Sequence, residues 1–288
     1  MSNDLTAGAN SPGGTPPRLT DPGESATPHS WTDATDPAEL EAIAVEVAIA
    51  AADLVRGRLG QTQIVDTKTT PTDVVTAADV EAEAFIRDAL QAATPGAAIL
   101  GEEGAPVSGS TSVGWIVDPI DGTVNFLYNL PVMSVSIGAT VAGEVVAGAV
   151  VDIVRGEVFR GSVGNGVLRD NVRVMPSATT NIGDALVGTG FSYAAEERRR
   201  EGTVVARVLP EVRDIRNFGS AALHLCWVAC GRLEAFYQVG PKEWDVAAGA
   251  LLVSEAGGRV ELGSDANGGL VLAATSGVFD TLRNLIVE

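Results

Sequence analysis

Hydrophobic and polar positions repeat along this chain with two different periods. In residues 37–59 apolar side chains recur at helical spacing, which predicts an amphipathic helix, and a second helix is predicted over residues 77–93. Between residues 132 and 168 short β-rich runs are separated by glycine turns, which predicts an antiparallel meander. The predicted strands of this meander are Ser134–Val141, Val145–Ile153, Val158–Gly161 and Gly166–Leu168.

Beyond residue 183 predicted strands and helices follow one another in turn. This alternation predicts a second, mixed sheet with helices packed on it. The sequence thus predicts an N-terminal α+β half, residues 37–182, and a C-terminal α/β half, residues 183–288. The predicted C-terminal strands are Ala185–Gly188, Asp214–Arg216, Ala235–Gln238, Arg259–Glu261 and Leu270–Ala274, and the helices are 194–208, 219–230, 245–256 and 276–286.

Residues 1–36 differ in character from the rest of the chain. They are dense in Pro, Gly, Ser, Thr and Asp and carry almost no apolar side chains. Such a segment cannot bury enough surface to become ordered, so we expect a disordered tail. It also lacks the basic and apolar regions of a signal peptide.

Composition narrows the possible functions. The chain has 288 residues, of which 45% are hydrophobic, so it can bury a sizeable core. A net charge of −18 disfavours nucleic-acid partners, because binding a phosphate backbone needs clustered Lys and Arg. No apolar stretch approaches the length of a membrane span, so no membrane partner is expected. Cys226 and Cys230 lie near His224 in a helical segment and are expected to be free thiols of a reduced, cytoplasmic protein.

The segment WIVDPIDGTVNF contains several candidate metal- and phosphate-binding residues close together. An apolar strand leads into Asp118 and Asp121, two carboxylates held in a turn by the proline between them. Mg²⁺ takes a few carboxylates together with water and substrate phosphate, and the turn can also aim the Ile120 carbonyl inwards. Gly122 and Thr123 then open a predicted helix whose free N–H groups favour a phosphate. The segment therefore predicts a metal-dependent phosphate site.

Two further acidic segments can complete such a site. Glu102 lies in a GEEG string after an apolar run, and Asp245 begins the predicted helix 245–256. Taken alone, Asp245 could be an ordinary helix cap and the Asp-Gly pair an ordinary turn. Two carboxylates about 4 Å apart repel by roughly 4 kcal/mol at an effective dielectric near 20, so a cluster of four calls for cations.

These strings occur in an order that resembles one known family. From about residue 38 to the C-terminus, KTTPTDVVTAAD, GEEG, WIVDPIDGTVNF, GSAA, WDVAAG and EAGG are similar to motifs of the inositol monophosphatases, above all the bacterial members. These are Mg²⁺-dependent, lithium-sensitive phosphatases. The resemblance implies an α+β fold, a layered αβαβα sandwich with an antiparallel N-terminal sheet and a mixed C-terminal sheet, and it implies a homodimer.

The resemblance also implies a set of metal ligands in this chain. The first ion would be held by Glu102, Asp118 and the carbonyl of Ile120. A second ion would be held by Asp118, Asp121 and Asp245, so that Asp118 bridges the two. The expected cofactor is Mg²⁺, with two or three ions.

Other residues receive roles from the same resemblance. Thr123 and Asp79 would activate the attacking water beside Glu102 and the first ion, and Lys68 would place a charge near the metals. The backbone amides of Gly122 and Thr123 would hold the phosphate.

The substrate contacts are expected at Ala221 and Gln238. The family commonly has a glutamate where this chain has Gln238. A neutral amide both donates and accepts but forms weaker bonds than a carboxylate, so polyol binding is expected to be weaker or broader.

The expected activity is Mg²⁺-dependent hydrolysis of a small phosphorylated polyol, first of all myo-inositol 1-phosphate, by direct attack of water. The alternatives are histidinol phosphate or another sugar phosphate as substrate and, further away, a non-catalytic interaction protein on the same fold. The loop 105–114 could be a mobile cover or a plain connection.

Overall fold

The computed structural model describes residues 35–61, 63–263 and 269–287. The predicted disordered tail lies outside the described residues, except for Thr35 and Asp36. The Asp36 side chain caps the first helix, α1 (Pro37–Arg56), by accepting from the Ala38 amide at 3.0 Å. This helix ends before the predicted Leu59, because Gly57 caps it and the chain turns there.

A seven-stranded sheet dominates the first half. The predicted meander is confirmed, since each strand from β4 to β9 pairs antiparallel with the next, while the edge strand β3 runs parallel to β4. A separate two-stranded ribbon, β1 with β2, was not predicted. The elements are β1 (Ile64–Thr67), β2 (Val74–Thr76), α2 (Ala77–Ala93), β3 (Ala98–Gly101), β4 (Val113–Asp121), α3 (Thr123–Leu127), β5 (Ser134–Val141), β6 (Glu144–Asp152), β7 (Val158–Ser162), β8 (Gly166–Arg169) and β9 (Val172–Arg173).

The second half contains the predicted mixed sheet of five strands, in the order β11-β10-β12-β14-β13. Strand β10 runs parallel to β11 and β12, whereas β14 is antiparallel to β12 and β13. A short 3-10 turn (Ile182–Asp184) precedes this half, and the boundary at residue 182 stays a prediction. The elements are β10 (Leu186–Thr189), α4 (Ala195–Val208), β11 (Asp214–Arg216), α5 (Ala221–Ala229), β12 (Ala235–Val239), α6 (Glu243–Glu255), β13 (Arg259–Leu262), β14 (Leu270–Ala274) and α7 (Phe279–Val287).

These elements stack in five layers. Helices α1 and α2 cover one face of the first sheet and share a core with it. Helices α5 and α6 fill the space between the two sheets, and α4 and α7 cover the far face of the second sheet. The expected αβαβα sandwich is therefore the observed architecture. None of the described helices combines the length and apolarity needed to cross a bilayer.

Helix α6 approaches the first sheet closely because glycines line its path. A Cβ added at Gly148 on β6 would lie 3.0 Å from both Cα and Cβ of Ala248, and one at Gly138 on β5 would meet Ala247 at 3.5 Å. Any larger side chain on this face would push the helix away. The close approach holds the first turn of α6, which carries Asp245, against the end of the first sheet.

Gly148→Ala should therefore lower the free energy of unfolding by about 1–3 kcal/mol, because the added methyl meets helix backbone that has no room to move. The matched change Gly202→Ala should raise it by about 0.5–1 kcal/mol, since Gly202 is exposed within α4 with no atom within 4 Å of the added carbon. Urea unfolding followed by circular dichroism measures both. A Gly148→Ala protein as stable as the wild type would contradict the close packing.

Candidate functional site

Strand β4 carries two of the predicted carboxylates at its carboxyl end. Asp118 is 1% exposed and Asp121 is 7% exposed. The pairing of β4 with β5 shifts register between them, so the segment that the sequence predicted as a turn is a bulge within the strand. The Ile120 amide donates to Asp118 Oδ1 at 3.0 Å, which fixes that carboxylate against its own backbone.

Asp121 is held by the start of α5. Its Oδ1 accepts from the Ala221 amide at 3.1 Å, and its Oδ2 accepts from the Ala222 amide at 2.7 Å and from Ser220 Oγ at 2.5 Å. Ser134 on β5 donates to Oδ2 as well, at 3.3 Å. The positive end of the helix thus stabilises a buried carboxylate that belongs to the other sheet. Because the Ala221 amide is used in this way, its predicted contact with substrate stays a prediction.

The predicted pair of Thr123 and Asp79 is brought together. Thr123 Oγ1 lies 3.2 Å from Asp79 Oδ1 and also 3.2 Å from the Ile120 carbonyl oxygen. Asp79 forms a capping box with Thr76, whose amide and hydroxyl donate to its other oxygen at 2.8 and 2.5 Å. Burial raises the pKa of Asp79, and the hydrogen bonds from Thr76 partly oppose this.

The loop that bears Glu102 is fixed by Glu83, a residue on α2 that the sequence analysis missed. The Glu83 carboxylate accepts from the amides of Glu103 and Gly104, both at 2.7 Å, and from Arg87 Nε at 2.7 Å. A Cβ at Gly101 would come within 2.6 Å of the same carboxylate. Glu83 follows Asp79 by four positions, so both face the site from one side of the helix, and this spacing was the available signal.

Glu102 itself is turned towards Lys68. The Lys68 ammonium donates to Glu102 Oε1 and to Glu103 Oε1, each at 2.7 Å. Burial would lower the pKa of Lys68, but the two carboxylates outweigh burial and raise it. The predicted charge beside the metal site is therefore present, and in this structure it neutralises Glu102.

Asp245 reaches the site from the first turn of α6. Its Oδ2 accepts from the Lys242 amide at 2.7 Å, which leaves its other oxygen without a hydrogen bond from the described residues. Burial raises the pKa of Asp245 to about 8, and the carboxylates of Asp121 and Glu102 add to the rise.

The four carboxylates act on one another electrostatically. Burial raises the pKa of Asp118 well above its ordinary value, and Glu102, Asp121 and Asp245 each raise it further. Burial also raises the pKa of Asp121 to about 6, although the donors from α5 oppose this. The site therefore concentrates acidic groups around two buried carboxylates, with Glu102 and Asp245 half-buried beside them.

The oxygen donors of this cluster are chemically suited to bind a divalent cation. Among the residues that the structure describes, no group of three or more Asp, Glu, His or Cys side chains is placed to hold an ion as it stands. The donors are nevertheless all oxygens, which a hard cation such as Mg²⁺ prefers, and Asp121 Oδ1 and Asp245 each keep an acceptor position open. Ser136 Oγ, buried opposite Asp118 on β5, also has no partner among the described residues.

The remaining predicted residues lie around this cluster. Gly122 caps the start of α3 with φ of 108°, a conformation that glycine adopts without strain, and Gln238 is half-buried one residue before the end of β12. Cys226 and Cys230 are both free thiols. His224 is engaged elsewhere: its Nδ1 donates to the Ser220 carbonyl at 2.6 Å and its Nε2 accepts from the Phe218 amide at 3.3 Å. His224 thus braces the turn that leads into α5.

Known proteins are similar to this chain along most of its length. A family model described as the inositol monophosphatase family matches residues 36–286. The Mycobacterium tuberculosis protein named inositol-1-monophosphatase SuhB is 43% identical over 269 residues, which cover 86% of this chain and 93% of the relative. Its solved structure superposes with a TM-score of 0.75 at 42% identity, covering 86% of this chain and 96% of that one.

Two further relatives extend the comparison. The Bartonella henselae extragenic suppressor protein suhB has a solved structure that is 31% identical, with a TM-score of 0.79, covering 86% of this chain and 98% of that one. The Escherichia coli protein named Nus factor SuhB is 36% identical over 199 residues, which cover 68% of this chain and 73% of the relative.

Acid should destabilise the protein through His224. Burial lowers the pKa of this ring to about 4 from its ordinary 6.5, so the neutral ring is favoured in the folded state. As the pH falls from 6.5 towards 4, the unfolded chain binds a proton that the folded chain does not. The resulting loss in the free energy of unfolding is about 3 kcal/mol.

His224→Asn retains a donor for the Ser220 carbonyl but cannot titrate. We expect the difference in stability between the wild type and this variant to shrink as the pH falls from 6.5 to 4. Urea unfolding at several pH values measures this difference. Parallel stability curves for the two proteins would mean that His224 is not buried as a neutral ring.

Proposed function

We propose that this chain, which belongs to the inositol monophosphatase family, is a Mg²⁺-dependent phosphomonoesterase that hydrolyses a small phosphorylated polyol, most of all myo-inositol 1-phosphate. The observation that carries the proposal is the cluster of Glu102, Asp118, Asp121 and Asp245 beside the contact of Thr123 with Asp79. The Mycobacterium tuberculosis relative bears the name of this activity, which adds support.

The metal ligands are proposed as the sequence predicted them. Glu102, Asp118 and the Ile120 carbonyl would hold one ion, and Asp118, Asp121 and Asp245 would hold another. Two or three bound Mg²⁺ ions would supply charge neutralisation, polarisation of the phosphate and activation of water. Lys68 holds only Oε1 of Glu102, so the other oxygen of Glu102 would serve as the ligand while the ammonium stays beside Glu103.

The chain's own groups would orient the reacting molecules. When Thr123 Oγ1 donates its single hydrogen to Asp79 Oδ1, its lone pairs are free to accept a hydrogen bond from the attacking water. The backbone amides of Gly122 and Thr123 would hold the phosphate in line with that water. Asp79 is fixed by Thr76, so the direction of this hydrogen bond is set before substrate binds.

Asp121→Asn and Asp245→Asn should each lower phosphate release from myo-inositol 1-phosphate by at least about a hundredfold, the scale expected for a lost charged group in a catalytic site. The matched control is Asp88→Asn, which neutralises an exposed carboxylate on α2. Circular dichroism in metal-free buffer should show that all three variants fold. Wild-type rates in either site variant would contradict the metal assignment.

Gln238 bears on the identity of the alcohol part of the substrate. A glutamate at this position would attract the amine of histidinol phosphate, whereas a neutral amide offers that amine no opposite charge. Phosphate release measured across inositol phosphates, histidinol phosphate and sugar phosphates decides between the candidates.

A non-catalytic role is a second candidate, because the Escherichia coli relative is named a Nus factor. The presence of Glu102, Asp118, Asp121, Thr123 and Asp245 favours catalysis, since a binding module needs no such set. Absence of Mg²⁺-stimulated hydrolysis on every substrate would favour the interaction role.

We further propose a homodimer in a reduced, cytoplasmic setting, with neither nucleic-acid nor membrane partners.

A further inference from the structure

The topology of the second sheet gathers three loops at one edge. Because β10, β11 and β12 are parallel, their carboxyl ends face the same way. The segments that follow them are residues 190–194, 217–220 and 240–242. The second of these leads to the helix that holds Asp121, and the third leads to Asp245. The segment 190–194 is therefore brought to the same edge as the carboxylate cluster, although nothing in its sequence indicates a site.

The segment 190–194 is held firmly at its backbone. The Ser192 amide donates to both carboxylate oxygens of Glu201 at 3.1 Å, and Glu201 is only 8% exposed. Arg198 donates to the carbonyls of Ser192 and Tyr193 at 3.0 and 2.8 Å. A buried carboxylate and an arginine from α4 thus fix a loop whose aromatic side chains stay partly exposed.

Tyr193 projects from this anchored segment towards the cluster. Its side chain keeps 41% exposure, and its hydroxyl has no hydrogen-bond partner among the described residues. Burial raises the pKa of Tyr193 to about 12, and the carboxylates of Asp73, Glu102, Asp121 and Asp245 contribute to the rise. These carboxylates come from separate parts of the chain and all act on the phenol, which agrees with the placement of the segment 190–194 at this sheet edge. The hydroxyl is protonated at neutral pH and is available as a donor.

Gln238 lies next to the same segment. On β12 its side chain points to the same face as Phe236, which stacks on His224 of α5, so it faces the helices between the sheets. A Cβ at Gly190 would come within 2.1 Å of Gln238 Oε1, so the amide rests directly on the backbone of Gly190. No hydrogen bond to the Gln238 side chain occurs within the described part of the chain, so the amide also remains available.

We propose that Tyr193 is a specificity-determining residue whose hydroxyl, beside the amide of Gln238, binds the alcohol part of the substrate and selects a ring that bears several uncharged hydroxyl groups. The inference rests on the proposed phosphatase function. Both groups are neutral and both can donate and accept, which matches alcohol hydroxyls. The flat phenol also offers an apolar face to the C–H groups of such a ring.

An alcohol that carries a positive charge gains less from Tyr193 and Gln238. Asp73 is the carboxylate outside the cluster that also acts on Tyr193, and it already accepts from the amide and hydroxyl of Thr69 at 3.1 and 2.6 Å. Tyr193 and Gln238 add no charge to pair with an amine. These two residues therefore favour a phosphorylated polyol over histidinol phosphate.

The test compares two substrates in the full chain with Mg²⁺. One is myo-inositol 1-phosphate, and the other is phenyl phosphate, which carries no hydroxyl on its ring. Tyr193→Phe removes only the hydroxyl and should lower the ratio of kcat/KM for the inositol substrate to that for phenyl phosphate by about three- to tenfold, mainly through KM. The matched control, Tyr128→Phe, removes a hydroxyl from a tyrosine that is 70% exposed and should keep the wild-type ratio.

A second variant tests the charge argument. Gln238→Glu should shift the preference from myo-inositol 1-phosphate towards histidinol phosphate by at least about threefold, because an ionised acceptor strengthens its bond to an amine.

An active Tyr193→Phe protein with the wild-type ratio would overturn the inference while leaving the phosphatase function intact. Failure of the wild type to release phosphate from any of these substrates would instead refute the function, and the inference with it.

Discussion

The repulsion among four clustered carboxylates, two of them buried, is the constraint on which the rest of the arrangement depends. Asp118 and Asp121 come from one strand, Glu102 from the loop after the neighbouring strand, and Asp245 from a helix of the second half. Glu102, Asp121 and Asp245 each raise the cost of ionising Asp118, so the fold has to hold these groups together by other means. Backbone amides do this for the three aspartates, and Lys68 does it for Glu102.

The same anchors join the two halves of the molecule. The start of α5 binds Asp121 across the gap between the sheets, and glycines on β5 and β6 let α6 carry Asp245 against the first sheet. On the opposite side, α2 contributes Asp79 to Thr123 and Glu83 to the loop of Glu102. The site is thus assembled from both halves of the molecule, with contributions from α2, α3, α5 and α6, and its geometry follows from the layered packing. A cation would relieve the repulsion that these contacts otherwise withstand.

Much of the fold could be predicted because its patterns are local. The meander, the long helices and the alternation after residue 183 follow from period and turns, and the site follows from short ordered strings. Strand β1 (Ile64–Thr67) of the ribbon was missed because every one of its residues is exposed, so no alternation marks it. Glu83 was missed because one acid on a helix resembles a solvated face. Tyr193 was missed because its position depends on the strand order of the second sheet, which no local pattern contains.

The central claim is that the carboxylate cluster requires a divalent cation, and unfolding with and without Mg²⁺ tests it most directly. At matched ionic strength, Mg²⁺ should raise the free energy of unfolding of the wild type but not that of Asp118→Asn, which loses the bridging carboxylate. In metal-free buffer the same variant should be at least as stable as the wild type, because one of the repelling charges is gone. Equal stabilisation of both proteins by Mg²⁺, or none beyond that given by NaCl, would contradict the account.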